Sequence, residues 1–198
     1  MTLIVIIKIL AIIILLLLSA LSSGSETALT AVSKQRAHRQ KDKGAKNANF
    51  ILKIKEFKDE FITGILLANN LFNILATALM TELLVSEFGG LGVSVATIFM
   101  TLMIVIFSEV TPKIFAINKP MTFALKVSRF FYYYTKLIKP IVNLINKVSN
   151  KIIKLIGLNL NADQSKIIEE EFEGAVQLQK QYSNCLLYTS PSPRDTIR

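Results

Sequence analysis

The fold class predicted by this sequence is all-α integral membrane: three transmembrane helices with interfacial and juxtamembrane amphipathic helices beside them. Three observations carry that prediction. Apolar residues make up 52% of the 198 residues and mean hydropathy is +0.47. They gather into blocks of the roughly 20 residues that a bilayer crossing needs. The net charge of +9 is segregated rather than spread, as membrane topology requires.

The first span is expected at about residues 3–21, LIVIIKILAIIILLLLSAL, which is apolar except for Lys8 and Ser19. A secretory signal peptide is the rival, because small residues follow it at Ser19 to Gly24. Charge argues against that, since no basic region precedes the segment and the strongly positive stretch follows it. Ser22 to Leu29, SSGSETAL, then reads as a loosened helix end, with Ser25 capping a new basic helix over about residues 25–58. That helix is too charged to span, and its lone His38 reads as a solvated side chain.

The second span is expected at about residues 61–84 and holds LLANNLFNI, Leu66 to Ile74. Asn69 and Asn73 stand four residues apart, which stacks their amides on one helix face. Two carboxamides in hydrocarbon need partners, because an unsatisfied one costs roughly 2–7 kcal/mol. They are either interhelical glue or ligands, and Asn70, on another face, is the internal control. Gly64, Ala68, Ala76 and Ala78 allow close helix approach. Gly89, Gly90 and Gly92 make the next turn.

The third span, about residues 93–116, carries Glu109, and an ionisable group inside a span is a functional candidate by default. Pro112 has no N–H to give, which leaves the Ser108 carbonyl free beside that carboxylate at an expected kink. The bland alternative pairs Glu109 with Lys113 at i+4. Residues 121–158 then read as amphipathic interfacial helices with Pro140 as a break and Tyr132, Tyr133 and Tyr134 at headgroup depth. Their lysines suit anionic lipid of the inner leaflet.

Topology follows from the charges. Lys34, Arg36, Arg39, Lys41, Lys43, Lys46, Lys53, Lys55 and Lys58 face only Asp42 and Glu56, and residues 110–162 hold no acid at all. The link from Thr81 to Gly92 carries only Glu82 and Glu87. The basic stretches are therefore expected in the cytoplasm, with the N-terminus outside and the C-terminus inside. No basic run is dense enough to suggest nucleic acid. The single cysteine, Cys185, allows no intrachain disulfide and no multi-thiolate zinc site. With one histidine, no phosphate loop and no nucleophile–base pair, the sequence does not read as an enzyme.

Residues 159–184 change to polar, with Glu169, Glu170, Glu171 and Glu173 in a helix-like run, and read as a cytoplasmic linker. Residues 185–198, CLLYTSPSPRDTIR, resemble translated adaptor sequence and are expected to be non-native, which makes the chain a piece of a longer protein.

Three local patterns then agree, in order and one per span. LSSGSETALTAVSK, NNLFN and SEVTPK are similar to the FSGSETAL, GNNxVN and GExxPK signatures of the membrane domain of the CorC/cyclin M (CNNM) family, also called HlyC/CorC or hemolysin-like. The resemblance covers about Leu3 to Gly157 within a membrane domain of residues 1–158. It implies a homodimeric magnesium transporter, an exporter with sodium influx as its driving force, followed by ATP-binding CBS domains that this chain lacks. It places the metal ligands on Ser23, Asn69, Asn73 and Glu109. Ala68 and Ser108 stand where the family pattern has glycine. The all-oxygen set suits magnesium, calcium or manganese and not copper or zinc. Breaks at Ser23-Gly24 and at Pro112 would let backbone oxygens reach the ion. Magnesium itself comes from the resemblance alone. The alternative is a membrane-anchored scaffold for CBS domains, with the amides as packing glue.

Overall fold

The structure, a computed structural model, describes residues 2–156. The linker and tail regions, with Cys185, lie outside the described residues. In order the chain forms α1 (Thr2–Ala31), α2 (Lys34–Asp42), α3 (Ala48–Glu56), α4 (Lys58–Phe88), α5 (Leu91–Met103), a π-helical segment (Ile104–Val110), α6 (Thr111–Asn118) and α7 (Pro120–Leu155). No strand occurs among the described residues. Two compact units divide at Lys147, and the first holds all three apolar spans.

Leu3–Ala31, Lys58–Phe88 and Leu91–Asn118 are long and apolar enough to cross a membrane. Their packing inverts the arrangement of a water-soluble protein. Leu3, Ile74 and Ile98 are two-thirds exposed, whereas Ser19, Ser22, Ser23, Ser25, Asn69 and Ser108 are buried. Hydrocarbon tolerates the exposed leucines and isoleucines, so the polar groups are the ones that gain by turning inward.

α1 and α4 run antiparallel. Lys8 forms an ion pair with Glu82 at 2.8 Å, and Ser19 bonds to Asn69 and Asn73 farther along the same pair. Beside Lys8 and Glu82, a small apolar cluster of Ile12, Ala76 and Met100 ties α1 and α4 to α5. At the other end α2, α3 and α7 build a collar around Leu29, Val32, Ile51, Phe61 and Phe131. Asn47, with φ 71°, turns the chain into α3; its amide donates to the Leu125 carbonyl at 3.0 Å, and its own carbonyl accepts from Ser128 at 3.3 Å.

Three expected breaks are not where the sequence suggested. α1 does not end at Ser22–Gly24 but continues to Ala31, so residues 25–31 are its last turns, and the expected basic helix is instead α2 and α3. The serines do not loosen the helix, because their hydroxyls return to its own carbonyls: Ser22 donates to Leu18 and Ser25 to Leu21, as Thr27 does to Ser23. With no water to compete, this back-bonding satisfies the hydroxyls inside a helix. Gly24 serves close packing rather than flexibility, since a Cβ there would lie 2.9 Å from Phe123 Cζ and 3.3 Å from the Pro112 carbonyl oxygen. α7 passes through Pro140 without a break. Pro112 is preceded by a π-helical segment rather than a kinked end, and the Thr111 N–H reaches back five residues to Ile106. The wider turn lets the third span continue past proline.

Candidate metal centre

The centre forms where α4 and the π-helical segment meet α1. Ser19 lies about 17 Å along the α1 axis from Lys8 and about 18 Å from Ala31, at 1.5 Å per residue. That is near the middle of the membrane-crossing length Leu3–Ala31.

Asn69 and Asn73 share one face of α4, as their spacing requires, and both Oδ1 atoms lie 2.6 Å from the Ser19 hydroxyl oxygen. A hydroxyl has a single proton and can donate to only one of them at a time. Three oxygens therefore meet over one proton. The second amide oxygen is short of a positive partner unless its amide turns to offer NH₂.

One turn along α1 from Ser19 is Ser23, fully buried. Its Oγ is the buried side-chain polar atom without a hydrogen-bond partner among the described residues. The contrast with its neighbours is sharp, since Ser22, Ser25 and Thr27 all return their hydroxyls to the helix. An unmade bond of this kind costs about 1–3 kcal/mol.

The π-helical segment approaches α1 from another side. Ser108 donates to the Leu16 carbonyl at 3.2 Å, so this serine adds a bond between helices. Ala68 is buried, and its small side chain keeps α4 close. The half-buried Glu109 follows Ser108. The only ion pair among the described residues is Lys8–Glu82, so the expected alternative of Glu109 with Lys113 is not formed. No hydrogen bond joins the Glu109 carboxylate to Ser23, Asn69 or Asn73. Asn70 is exposed, on a different face from its neighbours, as the spacing predicted.

The structure thus joins Asn69 and Asn73 directly, sets Ser23 one turn from the residue that joins them, and carries Glu109 on a segment packed against the same helix. The expected contribution of a backbone break at Ser23-Gly24 is absent; the local carbonyls there stay in the helix. Ser19 as the partner of both amides was missed in the sequence, and Ser108 was read there for its carbonyl rather than its hydroxyl. For Ser19 the signal was its spacing of four from Ser23, which places both hydroxyls on one face. Among the described residues no three His, Cys, Asp or Glu side chains converge, so the donor set is hydroxyl, amide and one carboxylate.

Residues 10–183 match the family described as cyclin M transmembrane N-terminal domain. The chain belongs to that family. Among curated cyclin M relatives it is 33% identical over 152 residues to a UPF0053 protein of Haemophilus influenzae, covering 77% of this chain and 36% of the relative. It is 31% identical over 147 residues to the UPF0053 inner membrane protein YfjD of Escherichia coli, covering 74% and 34%. It is also 31% identical over 165 residues to a putative chloroplastic DUF21 domain-containing protein of Arabidopsis thaliana, covering 79% and 25%. The chain spans about a third or less of the length of these relatives. With three membrane-crossing helices and this family, it is a multi-pass membrane protein. The cyclin M family is of the membrane-transporter type and is not a known enzyme family.

Proposed function

We propose that this cyclin M domain is the membrane part of a divalent-cation transporter, with magnesium as its first substrate. Asn69, Asn73, Ser23 and Glu109 bind the ion as ligands, and Ser19 holds the two amide oxygens in place when no ion is bound. The observation that carries this is the cluster of three oxygens over one proton beside an unpartnered buried hydroxyl. A cation supplies the positive charge that such a cluster lacks. Hydroxyl, amide and carboxylate oxygens are the hard ligands that magnesium and calcium take. Export driven by sodium influx, a homodimer, and an N-terminus outside complete the proposal, the last from the positive-inside rule.

The test is thermal stability of the detergent-purified chain against magnesium, calcium and sodium. A ligand at a hundred times its Kd adds about 2.7 kcal/mol. Magnesium is expected to stabilise the wild type and Asn70→Ala, and to do little for Asn73→Ala or Glu109→Gln. Flux into vesicles loaded with a magnesium-sensitive dye then tests transport.

A second reading has its own support. Because Ser19 already reaches both amides, they can serve as glue between α1 and α4, a use of asparagine common inside membranes. The domain would then be a scaffold. Equal destabilisation by Asn73→Ala and Glu109→Gln with no response to any ion would decide for it.

A further inference from the structure

Away from the metal centre, a cleft of about 170 Å³ opens in the collar between the α3–α4 junction and α7. Ile54, Phe57 and Phe61 form its apolar wall, and Tyr132, Lys136 and Lys139 form the α7 side. We propose that this cleft is a binding site for one anionic phospholipid, with the phosphate held by Lys136 and Lys139 and the glycerol and first methylenes against the apolar wall.

Charge and depth both support that occupant. Lys139 Nζ sits 4.8 Å from the centroid of the Phe57 ring, so one lining cation is held over a ring of the apolar wall, and Lys53 Nζ, outside the cleft lining, sits 5.4 Å from the Tyr132 centroid. Such contacts orient an ammonium without neutralising it. Lys136 is exposed at the cleft rim. Glu60 is the one acid lining the cleft and makes no ion pair there, which leaves the rim net positive. Thr135 donates its hydroxyl to the Phe131 carbonyl, so the donors left for a phosphate are the ammonium groups and the Tyr132 phenol.

Depth follows from the helices. The α4 span begins at Lys58, and Phe61 is one turn inside it. α7 exposes Leu137, Ile141 and Leu144 as an apolar stripe, a surface suited to hydrocarbon. The cleft therefore lies where acyl chains meet headgroups. Basic pockets between helices at that level are the form that headgroup recognition takes.

The experiment uses the full chain in phosphatidylcholine nanodiscs or detergent, with retained lipid counted by native mass spectrometry. Phosphatidylglycerol is titrated in, and glycerol phosphate and inorganic phosphate are tried as competitors. One phosphatidylglycerol per chain is expected to be retained in preference to phosphatidylcholine. Lys136→Ala and Lys139→Ala should each weaken retention about fivefold. Thr135→Phe, which fills the cleft without changing charge, should weaken it as much, and Glu60→Gln should strengthen it. Lys147→Ala, outside the cleft, should change nothing, and far-ultraviolet circular dichroism checks that each variant is folded.

Equal losses from Lys147→Ala and Lys136→Ala would mean diffuse surface attraction and overturn the site. So would full retention in Thr135→Phe. Displacement by glycerol phosphate or inorganic phosphate at concentrations comparable to the lipid would reassign the cleft to a free phosphate. No lipid retained, with the variants changing oligomeric state instead, would give it to a second copy of the chain.

Discussion

Replacing Ser23 by alanine removes a hydroxyl that is fully buried and bonded to nothing. For an ordinary buried serine that change destabilises. Here the sign reverses, because the wild type carries the cost of a desolvated, unpaired group, about 1–3 kcal/mol, and alanine does not. Without divalent ions Ser23→Ala should unfold later than the wild type, by a margin in that range. With ions the order closes or inverts. Saturating magnesium adds about 2.7 kcal/mol at a hundred times the Kd, and a variant that has lost one ligand gains much less. Ser22→Ala is the matched control one residue away. Its hydroxyl donates to the Leu18 carbonyl at 2.9 Å, so its loss should cost about 0.5–1.5 kcal/mol and leave the ion response untouched. The assay is thermal unfolding of the detergent-solubilised chain in chelator and across a magnesium titration. If Ser23→Ala is destabilised in chelator as Ser22→Ala is, the hydroxyl has a helix carbonyl after all. An undiminished magnesium response would also remove Ser23 from the ligand set.

Two further expectations concern packing and pH. A Cβ at Gly92 would run into the backbone carbonyl of Leu84, which cannot move aside, whereas at Gly64 it would meet the Ile138 Cδ1 tip at 2.8 Å, the end of a flexible chain. Gly92→Ala should therefore cost at least the 1–3 kcal/mol typical of overpacking and Gly64→Ala less, read as thermal unfolding midpoints. Lys55 donates to the Thr30 carbonyl, and its ammonium is held below the ordinary 10.5 by burial first and by Lys58 and Lys34 next. The folded state thus binds this proton less tightly than the unfolded state. Stability should rise with pH between the lowered folded value and 10.5, and be flat below that window as far as this group is concerned. Lys55→Met should remove that alkaline rise, measured as the difference in midpoint between neutral and alkaline buffer.

Much of this fold was legible because hydrocarbon leaves few choices. Long apolar blocks must be helices, and segregated charge must mark their ends. The four-residue spacing of Asn69 and Asn73 fixed a shared face wherever α4 began. What the spacing did not reveal was the partner. Ser19 looked like the weak end of a span while α1 was expected to stop at Leu21, and becomes central only once the helix runs to Ala31. Ser22 to Gly24 would favour a break in water, where hydroxyls and exposed backbone find other partners. In the membrane the same residues bond back to the helix or make room for Phe123 and Pro112. The π-helical segment has no composition of its own. It follows from the need to pass Pro112 while still packing on α1.

That uninterrupted α1 has a mechanical consequence. A membrane-crossing length from Leu3 to Ala31 is about 42 Å at 1.5 Å per residue, longer than the roughly 30 Å of hydrocarbon, so the helix tilts or stands proud of it. Its last turns, with Leu29 buried in the collar, and its middle, with Ser19 and Ser23, are parts of one stiff strut. A hinge at Gly24 would have let the collar move while the oxygens stayed still. With no joint between them, a push or twist delivered to the collar is carried along one continuous helix to Ser19, about 18 Å from its end, and so to the two asparagines.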